Sequence, residues 1–390
     1  MIIHGIPVRL TLNDTIKNFL AVLISIAAGL LLRFWETGSR VAGAVLFPTG
    51  LIYVKLFFLL AMPLVCLQIV CGVIRHLQNR ENAKALESLW RFHSVNSVGA
   101  AVLGMVAGCM VCFSGIPVFH SGTVRFGLPV LRLFFPGAVL LSVVIAFAAV
   151  RSGAAGEAPR NIFLSLAGVF GMAGTLLLKF LPVGIFMLLC PVVALQGAGV
   201  LWLPVKLTVL TVFCCFAYGM LLCGYHLRHC GKDSPRHFMR YFKAVLLQAF
   251  SDAHTEPFEE AALRSLQRLG ITGTEGRDGF RQGCSFGSAG TVIYCGIACM
   301  AAAQYAGMEL SFRLVAGVFV WIVLLLQTNL DFPGAGLFCA LAVIIMAGIR
   351  PEAAIPLLLC EWLLGGVRSV LDTAFAGVGV YLADKLGWMK

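Results

Sequence analysis

The sequence predicts an all-α, polytopic membrane protein. Of its 390 residues, 59% are hydrophobic and only 12% are charged, whereas an average soluble domain has roughly 25% charged residues. The mean hydropathy is +0.92, and a soluble protein of this length could not cover so much apolar surface with so few charges. Soluble enzymes and nucleic-acid-binding proteins are therefore excluded. The net charge of +11 fits a membrane protein whose basic residues gather in cytoplasmic loops.

Runs of about 20 mainly apolar residues, the length that crosses a bilayer, recur eight times along the chain. The run 161–195 contains Pro182 and Pro191, which predicts one kinked, tilted helix rather than two spans. Two further apolar stretches, about 238–250 and 313–348, are interrupted by polar or Pro/Gly residues, as a simple span would not be. The eight predicted spans lie near 16–34, 46–74, 93–113, 127–150, 161–195, 199–225, 283–306 and 356–383.

Basic residues concentrate in alternate loops, which predicts the orientation in the membrane. Each of three loops carries four or five Lys or Arg residues, and the intervening loops carry one arginine among them, Arg40. The positive-inside rule then places both termini on the cytoplasmic side of a cytoplasmic (inner) membrane. Termini on the same side require an even number of spans. The basic loops are 75–92, 226–243 and 264–281, and the others are 35–45, 196–205 and 306–312.

Three interruptions of the apolar pattern fall in the last 150 residues, at 251–257, 283–291 and 327–336. Non-helical backbone at membrane depth is tolerated only where protein or a water-filled cavity satisfies its polar groups. These interruptions therefore indicate a binding site.

The interrupted segments follow a repeated order, in which a hairpin with a broken tip precedes a full helix. A pair of interrupted segments in corresponding positions is typical of an inverted repeat around a transporter's binding site. Kinks in an ordinary helix bundle are the alternative interpretation. The two units are 238–269 followed by 283–306, and 313–348 followed by 356–383.

A charged stripe, formed by Glu361, Arg368 and Asp372, lies on the final helix, where spacings of seven and four put all three residues on one face. We expect Arg368 to pair with Asp372, because a separation of four residues suits an ion pair on a helix. Glu361 on the same face is the other partner that would neutralise the charge of Arg368. The alternative is that Arg368 serves as an anion-binding group. A closed pair with Arg368 would leave Asp372 less able to bind a substrate amine.

Several segments resemble the dicarboxylate/amino acid:cation symporter family, which includes the glutamate transporters. They are Phe332-Pro-Gly-Ala-Gly336 with its long apolar arm, Leu181-Pro-Val-Gly-Ile-Phe186, Ala61-Met-Pro-Leu-Val65 and Gly72-Val-Ile74. The resemblance covers roughly residues 10–386, and it is more specific in the order and spacing of segments than in the motifs.

The resemblance implies an inverted-repeat, elevator-type transporter with eight transmembrane helices and two re-entrant helical hairpins, assembled as a homotrimer in the lipid bilayer. Residues 1–92 (spans 1 and 2) and 127–198 (spans 4 and 5) would form the scaffold. Residues 93–126 (span 3) and 199–390 would form the transport domain. The latter segment contains span 6, hairpin 238–269, span 7, hairpin 313–348 and span 8.

Some functional residues of the family carry over to this chain. Asp372 stands where a carboxylate binds the substrate's amino group, and Thr291 matches the hydroxyl that contacts substrate in span 7. The tip of the second hairpin is retained, which implies that the backbone from Phe332 to Gly336 faces the substrate. The tip of the first hairpin becomes 254–257, which places Thr255 at the site.

Other positions depart from the family. Phe375 replaces the arginine that reads a side-chain carboxylate, so we expect acidic amino acids to bind poorly and neutral ones better. Two sodium sites of the family need Asn and Asp side chains, which this chain lacks. It has Gly287, Ala289, Ala376, Gly379 and Ala383 at positions of the span 7 motif and of the later ligands.

Coupling to a single sodium ion or to a proton therefore remains open, and no other cofactor or metal is expected. A third sodium site of the family uses mostly main-chain carbonyls, which here correspond to the regions of Ser288, Gln327 and Asn329. Ionisable residues inside a membrane are costly and are functional candidates by default. The candidates for carrying a proton are His254, Glu256, Asp331 and Asp372. For the three carboxylates among them, burial disfavours the charged form and so favours binding of a proton.

The sequence thus predicts a secondary active transporter of a small organic solute, an amino acid or a dicarboxylate, by cation-coupled symport or exchange. The alternative is a non-transporting membrane protein, such as a sensor or a subunit, that kept the scaffold and lost the ion sites. An intramembrane hydrolase is disfavoured, because no spacing motif joins Ser285, His254 and Asp331. We expect no enzymatic activity and no nucleic-acid partner.

Overall fold

A computed structural model of the chain describes residues 12–78, 83–111, 113, 128–229, 235–252, 259–271, 274–286, 288–326 and 334–387. Within these residues all regular structure is helical. The fifteen α-helices of the described part are α1 Leu12–Arg33, α2 Glu36–Gln78, α3 Ala83–Met110, α4 Leu128–Arg151, α5 Glu157–Lys179, α6 Leu181–Gln196, α7 Trp202–Tyr218, α8 Gly224–His229, α9 Pro235–Asp252, α10 Glu259–Arg268, α11 Thr274–Phe286, α12 Ala289–Tyr305, α13 Phe312–Leu326, α14 Ala335–Ala347 and α15 Ile355–Lys385.

Eight segments of the described chain are long and apolar enough to cross a membrane, and the prediction of a multi-pass membrane protein is confirmed. Three shorter apolar helices, α6, α13 and α14, accompany them. The eight segments are Asp14–Arg33, Glu36–Ile74, Glu87–Met110, Phe134–Arg151, Glu157–Lys179, Ala198–His229, Gly276–Tyr305 and Pro351–Lys385.

The prediction of a single kinked helix over 161–195 is wrong. The chain leaves the helical conformation at Phe180 (φ −83°, ψ 2°), and this break separates α5 from α6. Pro182 occupies the first turn of α6, where a missing N–H costs nothing and the fixed φ favours a new helix. Pro191 remains inside α6. The first proline therefore starts a helix instead of bending one.

The three basic segments predicted as loops are largely helical: α2 and α3 extend into 75–92, α8 and α9 into 226–243, and α10 and α11 into 264–281. Arg277 and Arg281 lie on α11 and approach Glu259 at the start of α10, with nitrogen–oxygen distances of 3.3 and 2.8 Å. These ion pairs connect the two helices across a short turn. The basic residues predict that 264–281 lies at one end of the membrane-spanning helices. Their number could not predict that the backbone of this segment is helical.

The centre of the protein is formed by α12, α14 and α15. Every residue of α12 except Gln304 is buried, and so are the residues of α14 from Ala335 to Met346. Helices that are apolar on all sides must be enclosed by others. Glycines allow the closest approach, since a β-carbon at Gly104 of α3 would lie 2.9 Å from the α-carbon of Ile293 in α12.

A pair of helices lies within each of the two segments predicted as hairpins. Helix α9 packs against α10, and α13 packs against α14. Residues 253–258 and 327–333, which would form the two tips, lie outside the described residues. The site residues predicted within them are Thr255, Glu256, Gln327, Asn329, Asp331 and Phe332, together with the proton candidate His254.

Candidate functional site

Asp372 lies where α15 crosses the start of α12. The amide nitrogen of Gly290 donates a hydrogen bond to its Oδ1 at 2.6 Å, and the hydroxyl of Thr291 donates one to its Oδ2 at 2.9 Å. A carboxylate is stabilised at a helix N-terminus, where unpaired amide groups and the helix dipole present positive charge. Position 290 must be glycine, because a β-carbon there would lie 2.7 Å from the backbone oxygen of Arg368.

The helical backbone is interrupted immediately before this contact. Helix α11 ends at Phe286 and α12 begins at Ala289, and Ser288 has a non-helical conformation (φ −76°, ψ 51°). Its side chain is buried, and no described residue forms a hydrogen bond with its Oγ. The predicted cation candidate Ser288 is therefore a buried oxygen beside the carboxylate-binding turn.

Arg368 forms the predicted charge pair, but its partner is Glu361, and the expectation that it pairs with Asp372 is wrong. Its guanidinium forms a two-pronged salt bridge with Glu361, in which Nη1 donates to Oε2 at 3.1 Å and Nη2 donates to Oε1. Both side chains are about 4% exposed. Side chains on a helix lean toward its N-terminus, which directs the long arginine back to Glu361.

The aromatic ring of Tyr294 completes the surroundings of this ion pair. The Cζ atom of Arg368 lies 4.2 Å from the centre of the ring, within range of a cation–π interaction. Sequence reasoning missed Tyr294, because a tyrosine in a uniformly apolar helix gives no signal of its partner.

The first turn of α14 packs onto the same place. A β-carbon at Gly336 would lie 3.0 Å from both the Cζ of Arg368 and the Cγ2 of Thr291, so glycine lets this backbone approach both side chains. The Cys295 thiol approaches the carbonyl oxygen of Gly336 at 3.5 Å. The structure therefore brings Asp372, Thr291, Gly336 and Arg368 together from three different helices.

Phe375 follows Asp372 by three residues in α15. It is fully buried, and its ring centre lies 5.7 Å from that of Tyr218 on α7. Its apolar ring stands at the position where the family resemblance places an arginine that binds a side-chain carboxylate.

A histidine ring lies beside one of the positions that lack a sodium ligand. Gly379 faces His93 of α3, whose ring occupies the space beside it. His93 was also missed by sequence reasoning, although a histidine at the start of the apolar run 93–113 was a possible signal.

A small cleft opens on one side of the ion pair, between α1, α9 and α15. Glu361 lines it, so the carboxylate that binds Arg368 also borders this cleft. Asn18 of α1 is buried there, and its Oδ1 has no hydrogen-bond partner among the described residues. Other lining residues are Asp14, Thr15, Leu178, Leu181, Phe250, Ser251, Gly334, Trp362, Gly365 and Gly366.

Taken together, the apolar helices and the polar cluster at their interruptions define a multi-pass membrane transport protein. The sequence pattern of the sodium:dicarboxylate symporter family matches residues 134–386, more than half of the chain. The chain belongs to this family, whose members are transporters rather than enzymes.

One curated relative is the proton/glutamate-aspartate symporter of Escherichia coli (strain K12). It is 25% identical to this chain over 224 residues, which cover 56% of this chain and 48% of the relative. The matched region thus spans about half the length of that protein. Nothing in these comparisons supports the alternative of a sensor or subunit.

Proposed function

We propose that the protein is a secondary active transporter that moves an amino acid or a dicarboxylate across the cytoplasmic membrane by cation-coupled symport or exchange. The observation that carries this proposal is the position of Asp372, a buried carboxylate at the helix interruption between α11 and α12. Membership of a symporter family, and the similarity to a proton/glutamate-aspartate symporter, support the same class of activity.

In this proposal Asp372 binds the amino group of the substrate. Thr291 already shares a hydrogen bond with that carboxylate, so its hydroxyl is positioned to contact both the carboxylate and a bound amine. The start of α14 at Gly336 covers the site from the other side. A substrate would thus be enclosed between α12, α14 and α15.

The packing of the helices supports the proposed division into a scaffold and a transport domain. In the scaffold, α1 packs on α6, and α2 packs on α4, α5 and α6. Helix α3, assigned to the transport domain, packs chiefly on α12 and also on α11 and α15. Re-entrant hairpins, elevator motion, a homotrimer and cytoplasmic termini remain part of the proposal.

The test is solute uptake into proteoliposomes that contain the purified protein. We expect gradient-driven uptake or exchange for at least one member of a panel of amino acids and carboxylates. Binding can be screened first by thermal shift with sodium, protons and the same solutes, because a ligand that binds the folded state raises its apparent stability. Absence of flux across the whole panel would contradict the proposal and favour a non-transporting protein.

A further inference from the structure

His93 of α3 is a buried imidazole whose ring nitrogens, Nδ1 and Nε2, have no hydrogen-bond partner within the described part of the chain. It is 1% exposed. An imidazole carries at least one N–H donor in every protonation state, and its neutral form also has an acceptor nitrogen. Burying such groups without partners is costly, so this residue requires an explanation beyond packing.

Three helices meet around the ring. A β-carbon at position 379 of α15 would lie 2.8 Å from His93 Nε2, and one at position 283 of α11 would lie 3.1 Å from the same atom. Both positions are glycine, and Ala376 lies beside Gly283. The imidazole of α3 thus fills a space that exists because α11 and α15 have no side chains there.

Other polar groups near this point of the helices are also unpaired. Ser97 follows His93 by one turn of α3, and its buried Oγ has no partner in the described chain. Gln282 precedes Gly283, and its buried Oε1 likewise has none. The surroundings of His93 therefore contain oxygens that could accept a hydrogen bond after a local rearrangement.

Many ionisable groups on the surrounding helices are engaged elsewhere. Asp372 binds the start of α12 and Glu361 binds Arg368. The other pairs are Glu87 with Arg91, Glu259 with Arg277 and Arg281, His226 with Asn96, and Lys385 with the ring of Tyr381. Further titratable or charged residues on these helices are Asp278, Cys284, Asp384, Tyr225, Arg228 and His229.

We propose that His93 is the proton-binding residue that couples transport to a proton gradient, an inference that rests on the proposed function. Neither ring nitrogen of His93 meets a hydrogen-bond acceptor among the described residues, whereas a protonated ring donates from both nitrogens. Binding a proton must therefore change how α3 packs on α11 and α15. One proton adds to a ring nitrogen on one side of the membrane and leaves the same nitrogen on the other, with no other bond made or broken.

The first test compares His93→Gln and His93→Leu with wild type in proteoliposomes. We expect both variants to keep exchange of labelled for unlabelled solute, at equal pH on both sides, within about threefold of wild type. Accumulation driven by a pH gradient should fall at least tenfold. The control His237→Gln changes an exposed histidine of α9 and should leave both activities unchanged. Proton-driven accumulation that survives in both His93 variants would overturn the inference.

The second test does not depend on transport. Hydrogen–deuterium exchange of residues 274–286 is measured at pH 6 and pH 8 and corrected for the intrinsic rates. We expect the corrected rates of wild type to differ at least threefold between the two pH values, and those of the His93 variants to coincide. An equal response in wild type and variants would refute proton binding at His93.

The two tests also separate this inference from the proposed function. If wild type moves no solute, the proposed function fails. The hydrogen–deuterium exchange measurement still decides whether His93 binds a proton. His93→Leu removes both ring nitrogens and puts an apolar side chain in their place. It can therefore be used for both tests if His93→Gln does not fold.

Discussion

Arg368 forms its salt bridge with Glu361, two turns before it in α15, while Asp372, one turn after it, binds the start of α12 instead. The two contacts use separate partners: the guanidinium is held by Glu361 and Tyr294, and the carboxylate is held by Gly290 and Thr291. Asp372 is consequently not consumed by an ion pair with Arg368. An ion pair with Arg368 therefore does not compete with a substrate amine for the Asp372 carboxylate.

Glu361→Gln should destabilise the protein markedly. Removing one partner of a buried ion pair leaves the other charge uncompensated, which typically costs about 3–5 kcal/mol. Thermal unfolding of the purified protein in detergent measures the effect as a fall in the midpoint temperature. The double variant Glu361→Gln/Arg368→Gln should recover part of the loss, because it leaves no buried charge.

Glu87→Gln is the matched control for this prediction. It removes an exposed ion pair with Arg91, one helical turn away, and exposed pairs contribute at most about 1 kcal/mol. Equal destabilisation by the two substitutions would show that burial of the Glu361 pair has no energetic consequence.

Asp372→Asn should abolish or strongly weaken substrate binding while the fold persists. The amide keeps one acceptor for Gly290 or Thr291 but loses the charge that binds an amine. Hydrogen bonds to charged groups contribute about 1.5–3 kcal/mol, so the affinity should fall by roughly tenfold or more. Equilibrium binding of the transported solute measures this change.

Asp384→Asn, three turns later in the same helix and only partly buried, is the control for this variant and should bind normally. Unaltered binding by Asp372→Asn would move the amine site elsewhere. If Asp372 were the proton carrier instead, the same variant would lose the pH dependence of uptake without losing affinity.

Gly334→Ala should destabilise the start of α14. Gly334 has a left-handed backbone (φ 80°), and a β-carbon there would overlap the side chain of Leu178. A side chain at positive φ costs about 1 kcal/mol or more. Gly317→Ala in α13, where a β-carbon meets nothing within 4 Å, should be neutral or stabilising. Thermal unfolding that ranks the two variants the other way would refute this reading of the turn.

Much of the fold followed from the sequence, because a bilayer allows few solutions. Apolar length sets the spans, and Pro/Gly interruptions set the breaks. The position of the break between α11 and α12 was therefore predicted from Gly287 and its neighbours. Local pattern could not predict that α11 is a helix, since its stabilising contacts with Glu259 come from another segment.

The charged residues of the candidate site could be predicted from the sequence, but their pairing could not. Spacing puts Glu361, Arg368 and Asp372 on one face, and this face is buried as expected. Which charges pair depends on the start of α12, which is distant in sequence and competes for Asp372. His93 was missed for a related reason: its significance comes from Gly283 and Gly379, which are far from it in the chain.

Acidic amino acids should bind more weakly than neutral ones. Phe375 presents a buried ring against Tyr218 where a guanidinium would bind a carboxylate with two hydrogen bonds. Competition against a bound neutral amino acid measures the order of affinities. Tight binding of aspartate or glutamate that Arg368→Ala abolishes would overturn this prediction and assign the anion-binding role to Arg368.

Sodium should stimulate uptake weakly, or through a single ion. Ala289, Gly379 and Ala383 supply no side-chain oxygens, and the ring of His93 lies beside Gly379. A dehydrated sodium ion needs several oxygen ligands, and loss of a charged ligand leaves a desolvation cost of several kcal/mol uncompensated. Uptake measured as a function of sodium concentration, at fixed membrane potential and pH, should give a Hill coefficient of about one or show no dependence. A coefficient near three would mean that other side chains rebuild the missing sites.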